Sequence, residues 1–308
     1  MTLLRIEFFG DFRLFRGNMP LPGFPTLSAK SLFSYLVMHR NRLHDRDVLA
    51  GTFWGDRPQT EARKSLRTNL WRVRQAIADD SATGQHALLV SDRQIGFNAD
   101  AEYSLDVEQF ERHLALAAPL ATATARDESH AHLEHAVALY RGNLLEGVYD
   151  EWCVREQARL HALFLHALET LMFGAAARGE LRAGLAHGER LLTHDVLRET
   201  THREVMRLHY RVGDRAAAVR QYRQCVRVLD EELGVPPMQE TTALYQAIVE
   251  DRALAPALTV AHDGRDASGA VAVLRDAAEQ LERVASSIRR SISAMDAGAS
   301  TPSGAKRS

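Results

Sequence analysis

Apolar residues recur three and four positions apart through residues 58–78, PQTEARKSLRTNLWRVRQAIA, and predict one continuous helix there. Ala62, Leu66, Leu70, Val73 and Ile77 form a single stripe that must dock on a core. Pro58 suits the first helical position, where its missing N–H costs nothing, and Glu61 sits in the positive first turn. At about 100° per residue, Lys64, Arg67, Thr68, Trp71, Arg72 and Gln75 face the opposite way, while Arg63 and Arg74 flank the stripe. A helix that hides its apolar face and shows cations with hydrogen-bonding groups fits a DNA major groove. A basic face is more often merely solvated, so the neighbouring elements have to decide.

Those elements have a recognisable order. Leu4–Phe9 and Phe12–Phe15, separated by Gly10-Asp11, read as two short antiparallel strands. Pro20, Pro22 and Pro25 then hold the chain extended. Ser28 can cap a helix over 29–40 with Leu32, Phe33, Leu36 and Val37 inward. Asp45 can cap a shorter helix over 46–54 with Val48, Leu49 and Phe53 inward, which Gly55-Asp56-Arg57 breaks. After the basic helix, apolar runs at 88–90 and 94–97 enclose Ser91-Asp92-Arg93 and read as a hairpin. Two strands, three helices and a hairpin make a winged helix-turn-helix, in which the third helix reads and the hairpin is the wing. The basic helix stands in the reading position. Lys64, Arg67, Thr68, Trp71 and Arg72 are the expected groove and backbone contacts, with Arg63 and Arg74 on flanking phosphates. Arg93 on the wing is expected at a neighbouring phosphate or the minor groove. Trp71 has a second option, closing a domain interface.

From Asp106 to about Glu250 the pattern is helical throughout, with breaks at Arg141-Gly142-Asn143, Gly179, Gly213-Asp214 and Gly234-Val235-Pro236-Pro237. Arg178-Gly179-Glu180 and Val212-Gly213-Asp214 are 34 residues apart, the period of the tetratricopeptide helix pair. Stacked helix pairs offer concave interaction surfaces, or simply a core that supports the first domain. Residues 253–268 are rich in Ala, Asp and Gly and read as a linker. Beyond it Leu274, Ala278, Leu281, Ala285, Ile288, Ile292 and Met295 follow a heptad register, which predicts an amphipathic or coiled-coil helix over 269–296 and a possible homodimer. Residues 297–308 are expected to be a disordered tail. The expected fold is therefore mainly α: a winged helix-turn-helix over 1–103 and an all-α tetratricopeptide-like domain over 104–252.

Charge sharpens this division. Residues 1–100 carry 14 Lys and Arg against 10 Asp and Glu, whereas residues 101–308 carry 24 against 30, so the excess of cations lies with the basic helix. The net charge of −2 argues against a general polyanion binder. An apolar share of 45% is ample for packed cores. Cys153 and Cys225 both lie inside amphipathic patterns and are expected to be buried free thiols in a reducing compartment. The first ten residues hold Arg5 and Glu7 inside their apolar run, so neither a signal peptide nor a membrane span is expected there, and a cytoplasmic location is.

The stretches IEFFGDFRLF, AKSLFSYLVMHRN, DVLAGTFWGDRP and EARKSLRTNLWRVRQAI resemble the N-terminal domain of the Streptomyces antibiotic regulatory protein (SARP) family. LYRGNLLEGVYDEWCVREQARL and AVRQYRQCVRVLDEELGVPP resemble the bacterial transcriptional activator domain that accompanies it. The resemblance covers about residues 3–250. It implies a transcriptional activator that binds direct repeats near promoters in double-stranded DNA and contacts RNA polymerase.

Other chemistry is not expected. No GxxxxGK[ST] phosphate loop, HExxH or G-x-S-x-G occurs, so no enzyme and no cofactor are anticipated. Of the histidines, His132 and His135 have helical ligand spacing and His161 and His166 do not, and with no partner in view no metal site is expected. The rival function is a helical-repeat scaffold whose winged helix binds protein.

Overall fold

The tight Phe-Gly-x-Phe opening is where the fold is organised. The computed structural model describes residues 3–77, 87–117 and 123–252, without the side chains of 123–126. The chain divides into units 1–254 and 255–308, and the predicted linker, heptad helix and tail lie outside the described residues. Strand β1 (Leu4–Glu7) pairs antiparallel with β2 (Arg13–Arg16), which pairs with β3 (Met19–Pro20). Then follow α1 (Leu27–Met38), β4 (His44–Asp45), α2 (Arg46–Trp54) and α3 (Gln59–Ala76). The wing is β5 (Leu88–Val90) and β6 (Gln94–Phe97), with β4 on the other edge of β6. Strand β7 (Tyr103–Leu105) returns to lie parallel beside β1. The helical half is α4 (Asp106–Leu116), α5 (Ala123–Leu139), α6 (Glu151–Arg178), α7 (Leu181–His194), α8 (Glu199–Arg211), α9 (Arg215–Leu233) and α10 (Gln239–Val249).

The architecture is the expected one, mainly α with a winged helix-turn-helix first and a helical-repeat half second. Helices α7 and α9 start 34 residues apart, as the spacing of Gly179 and Gly213 predicts, and each opens a helix pair. Met206, Ala218, Leu244 and Ile248 bury together in the last pairs, with Tyr222 and Tyr245 stacked at 4.1 Å.

Details differ from expectation for local reasons. Helix α1 starts two residues early because Thr26, not Ser28, is its cap: its hydroxyl accepts from Ala29 N–H (3.3 Å) and donates to Asn69 Oδ1 (3.1 Å). Pro58 is the residue before α3 rather than its first helical one, and Ala78 lies outside the described residues. Asp45 does cap α2, accepting from Asp47 N–H at 2.9 Å. The inward face of α2 is Leu49, Ala50, Phe53 and Trp54, and Val48 points to solvent. The large aromatic pair at 53–54 sets the rotation of this short helix, because aromatic side chains bury more area than a valine.

The two halves share one core. Phe9 packs edge-on against Phe110 (5.2 Å) and beside Tyr140 (4.8 Å), which stacks on Phe164 at 4.1 Å. The loop between α5 and α6 adds a β-bridge, Phe9 to Leu144, with Leu145 N–H donating to Phe8 O (2.7 Å) and Gly10 N–H to Asn143 O (2.9 Å). Gly10 has φ +77°, which favours glycine, and a Cβ on Gly142 would lie 3.1 Å from the Gly10 Cα, so the first glycine serves the turn and the second the close approach. The Asp106 carboxylate accepts from Phe8 N–H (2.9 Å), Phe9 N–H (3.0 Å) and Val107 N–H (2.8 Å), and from Arg141 (3.1 Å), which also reaches Glu7. On α1, Tyr35 meets Trp152 at 5.4 Å, and Ser31 Oγ donates to Asp150 Oδ2 at 2.5 Å. Cys153 at this junction and Cys225 are both free and buried, and burial pushes each thiol up to about 12.

Candidate nucleic-acid interface

Helix α3 is fixed by the stripe its sequence shows. Ala62, Leu66, Leu70, Val73 and Ile77 are all buried, and at Val73 no surface remains. Asn69 interrupts the stripe yet is buried too. Its Nδ2 donates to Ser65 O (2.9 Å) and its Oδ1 accepts from Thr26, so its polar atoms are satisfied. The bond to Thr26 ties the cap of α1 to the middle of α3, and Arg16 donates to Ile77 O at the far end (2.9 Å). The opposite face of α3 is thereby held outward.

That face carries the residues expected from the sequence, in three different conditions. Lys64, Arg67 and Arg74 are exposed and make no ion pair among the described residues. Thr68 is exposed, and its hydroxyl donates back to Lys64 O at 3.1 Å. Trp71 is 61% exposed, so it closes no interface among the described residues. Arg72 is half-buried and leans toward Asn69 Oδ1 at 3.4 Å. Arg93 is exposed at the tip of the wing, where Ser91 and Gln94 close the turn through Ser91 N–H to Gln94 O (2.9 Å) and Gln94 N–H to Ser91 Oγ (3.0 Å). The Arg93 carbonyl accepts from Arg46 N–H at 2.9 Å, which seats the wing on the start of α2.

Arg63 is the exception. Its guanidinium forms a two-bond ion pair with Asp47 of α2, Nε to Oδ1 at 2.6 Å and Nη2 to Oδ2 at 2.7 Å. Hydrogen bonding to Arg63 holds the Asp47 carboxyl below the usual carboxylate range. Arg63 thus braces α2 against α3, and its charge is offset at the surface. Asp47→Asn is expected to free it: the slope of log K for DNA against log salt should steepen by about 0.9, one added phosphate contact. An unchanged slope in a salt titration would mean that Arg63 stays out of contact in the variant as well.

Sequence reasoning did not single out Asp47, Asn69 or Arg57, whose Nη1 lies 3.3 Å from Ser65 Oγ in the turn before α3. The signal for Asn69 was its place in line with the apolar stripe. Asp47 showed none, since its partner is 16 residues away across a turn.

Elsewhere, His113 Nδ1 and His132 Nδ1 are 3.1 Å apart, and His161 bonds the Tyr140 hydroxyl (3.1 Å). Among the described residues no group of three or more His, Cys, Asp or Glu is arranged to hold a metal. Helix α6 is long and apolar enough to cross a membrane by length and composition, yet half of its apolar window is buried against the protein itself.

Comparison with known proteins bears on the same surface. Residues 105–249 match the family model described as the bacterial transcriptional activator domain. The chain is 29% identical over 259 residues to the regulatory protein AfsR of Streptomyces coelicolor, covering 82% of this chain and 25% of AfsR. It thus spans about a quarter of the length of the AfsR proteins it matches. It is 24% identical to the transcriptional regulatory protein MoaR1 of Mycobacterium tuberculosis over 239 residues, 73% of this chain and 72% of MoaR1. In fold it is similar to the solved structure of Mycobacterium tuberculosis EmbR in complex with a low affinity phosphopeptide, with a TM-score of 0.65 at 20% identity over 89% of this chain and 72% of that one.

Proposed function

We propose that this SARP-like chain, which carries a bacterial transcriptional activator domain over residues 105–249, is a sequence-specific regulator of transcription that binds double-stranded DNA through α3 and the wing. The observation that carries this reading is the outward face of α3. Lys64, Arg67 and Arg74 are free of carboxylates among the described residues and surround an exposed Trp71, on a helix whose other face is locked into the core. In the major groove Lys64 and Arg74 meet phosphates, Arg67 and Thr68 reach base edges, and Arg72 steadies Asn69 while its free edge reaches the backbone. Arg93 reaches the flanking phosphate or minor groove, and Arg63 stays paired with Asp47. The relatives' names, regulatory protein and transcriptional regulatory protein, support a regulator of transcription; in our reading it is an activator that works from promoter repeats through RNA polymerase, in the cytoplasm and not as an enzyme. Residues 1–103 are the reading domain and 104–252 the activator domain, and the heptad register over 269–296 provides a homodimer contact.

The test is salt dependence. With about four to six phosphate contacts, log K for a promoter duplex should fall against log salt with a slope of about −4 to −5. A slope near zero, with binding confined to protein partners, would instead favour a helical-repeat scaffold.

A further inference from the structure

We propose that Trp71 and Thr68 together form a methyl-reading plate at the centre of the cationic face, and that the DNA this protein prefers carries thymine opposite it. The inference rests on the proposal that α3 enters the major groove, and adds what it reads there. Of the chain's three tryptophans, Trp54 and Trp152 are buried at 5% and 7% exposure, whereas Trp71 is 61% exposed. An indole left in water on a helix that is otherwise polar on that side is an apolar surface that no described residue covers. Thr68 lies three residues earlier, one turn down on the same face. Its hydroxyl proton is committed to Lys64 O at 3.1 Å, so outward it offers a methyl group and at most an acceptor oxygen. Around this pair stand Lys64, Arg67, Arg74 and Gln75, all exposed. Cations at the rim select a polyanion, and the apolar centre selects the apolar group that polyanion presents. In the major groove of DNA that group is the thymine 5-methyl, which projects into the groove where cytosine carries only a C–H. The same face would therefore read thymine by burial and guanine by Arg67.

The test uses the 308-residue chain and a random-sequence duplex library. The sequence that the protein selects is prepared by amplification with either dTTP or dUTP, which removes only the methyl groups. Wild type should bind the uracil duplex about four-fold more weakly per methyl contacted, the change that burying one such group brings. Trp71→Ala should bind the thymine duplex more weakly and lose the difference between the two duplexes. Thr68→Ser, which keeps the hydroxyl and removes the methyl, should lose part of it. Thermal melting of both variants should match wild type, because both positions are exposed. Equal wild-type affinity for thymine and uracil duplexes would overturn the methyl plate while leaving DNA reading intact, as would a uracil penalty that persists in Trp71→Ala. Failure to select any sequence would overturn the DNA-reading proposal itself, and this inference with it.

Discussion

Replacing Asp106 by alanine is expected to destabilise the whole protein by about 3–5 kcal/mol, the range for removing one partner of a buried, charged hydrogen-bond network. Asp106 lies at the start of α4, is 5% exposed, and accepts three backbone N–H groups and one guanidinium. Burial raises its carboxyl above the ordinary range, against the pull of the Phe9 and Phe8 N–H groups and of Arg141. Holding a charge there is therefore costly, and by that count alone alanine should relieve the cost. It does not, because the donors remain. The N–H groups of Phe8, Phe9 and Val107 would be left buried without acceptors, each costing about 1–3 kcal/mol. Arg141 would lose one of its two carboxylates, since Glu7 alone would remain. Asp106→Asn should fall between the two, because the amide oxygen still accepts while its NH2 opposes donors. Since the Asp106 bonds join β1 to the helical half, denaturation followed by tryptophan fluorescence and by far-UV circular dichroism should give one coincident transition in wild type and in the variants. Two separate transitions, or an alanine variant within about 0.5 kcal/mol of wild type, would refute the shared core.

The second large effect concerns binding. Lys64→Ala, Arg67→Ala and Arg74→Ala combined should weaken DNA binding about a hundredfold or more, at roughly 1 kcal/mol per lost contact, and flatten the salt slope by about 2, for the phosphate contacts of Lys64 and Arg74. The three side chains are exposed and bond to nothing that holds the fold among the described residues, so stability should stay within about 0.5 kcal/mol. Arg67 separates from the other two by its specificity. If it reads a guanine, its single alanine variant should lose about 1–3 kcal/mol at one base position and little on scrambled duplex. Electrophoretic mobility or anisotropy titrations on both duplexes measure the difference. Equal losses on both would reduce Arg67 to a phosphate contact.

How far the sequence foretells these features depends on the range of the interaction that makes them. The buried stripe of α3, the inward set of α1 and the start of α2 at Asp45 rest on neighbours one turn away, and periodicity displays them directly. The tetratricopeptide spacing is visible for the same reason, as an offset between two helix breaks. Strand β7 is three residues, Tyr-Ser-Leu, and its partner β1 lies about a hundred positions earlier, so nothing local marks it. Asp106 reads as an ordinary acidic helix start, because its acceptor role is set by Phe8 and Phe9. The count of apolar positions puts Val48 inward, and Phe53 with Trp54 outcompete it for the core. At the candidate interface, composition announces the cations but not their state. Only the fold distinguishes Arg63, paired with Asp47, from Lys64 and Arg67, which are free of such partners among the described residues, or shows that Trp71 faces solvent.

The most direct test of the central claim is capture of sheared genomic DNA from the source organism by the purified protein, beside the Lys64→Ala/Arg67→Ala/Arg74→Ala variant. A reading α3 predicts that wild type enriches a small set of upstream regions sharing one sequence, that the thymines of that sequence recur at fixed positions, and that the folded variant enriches none. Enrichment by both proteins alike, or by neither at any salt concentration, would contradict it.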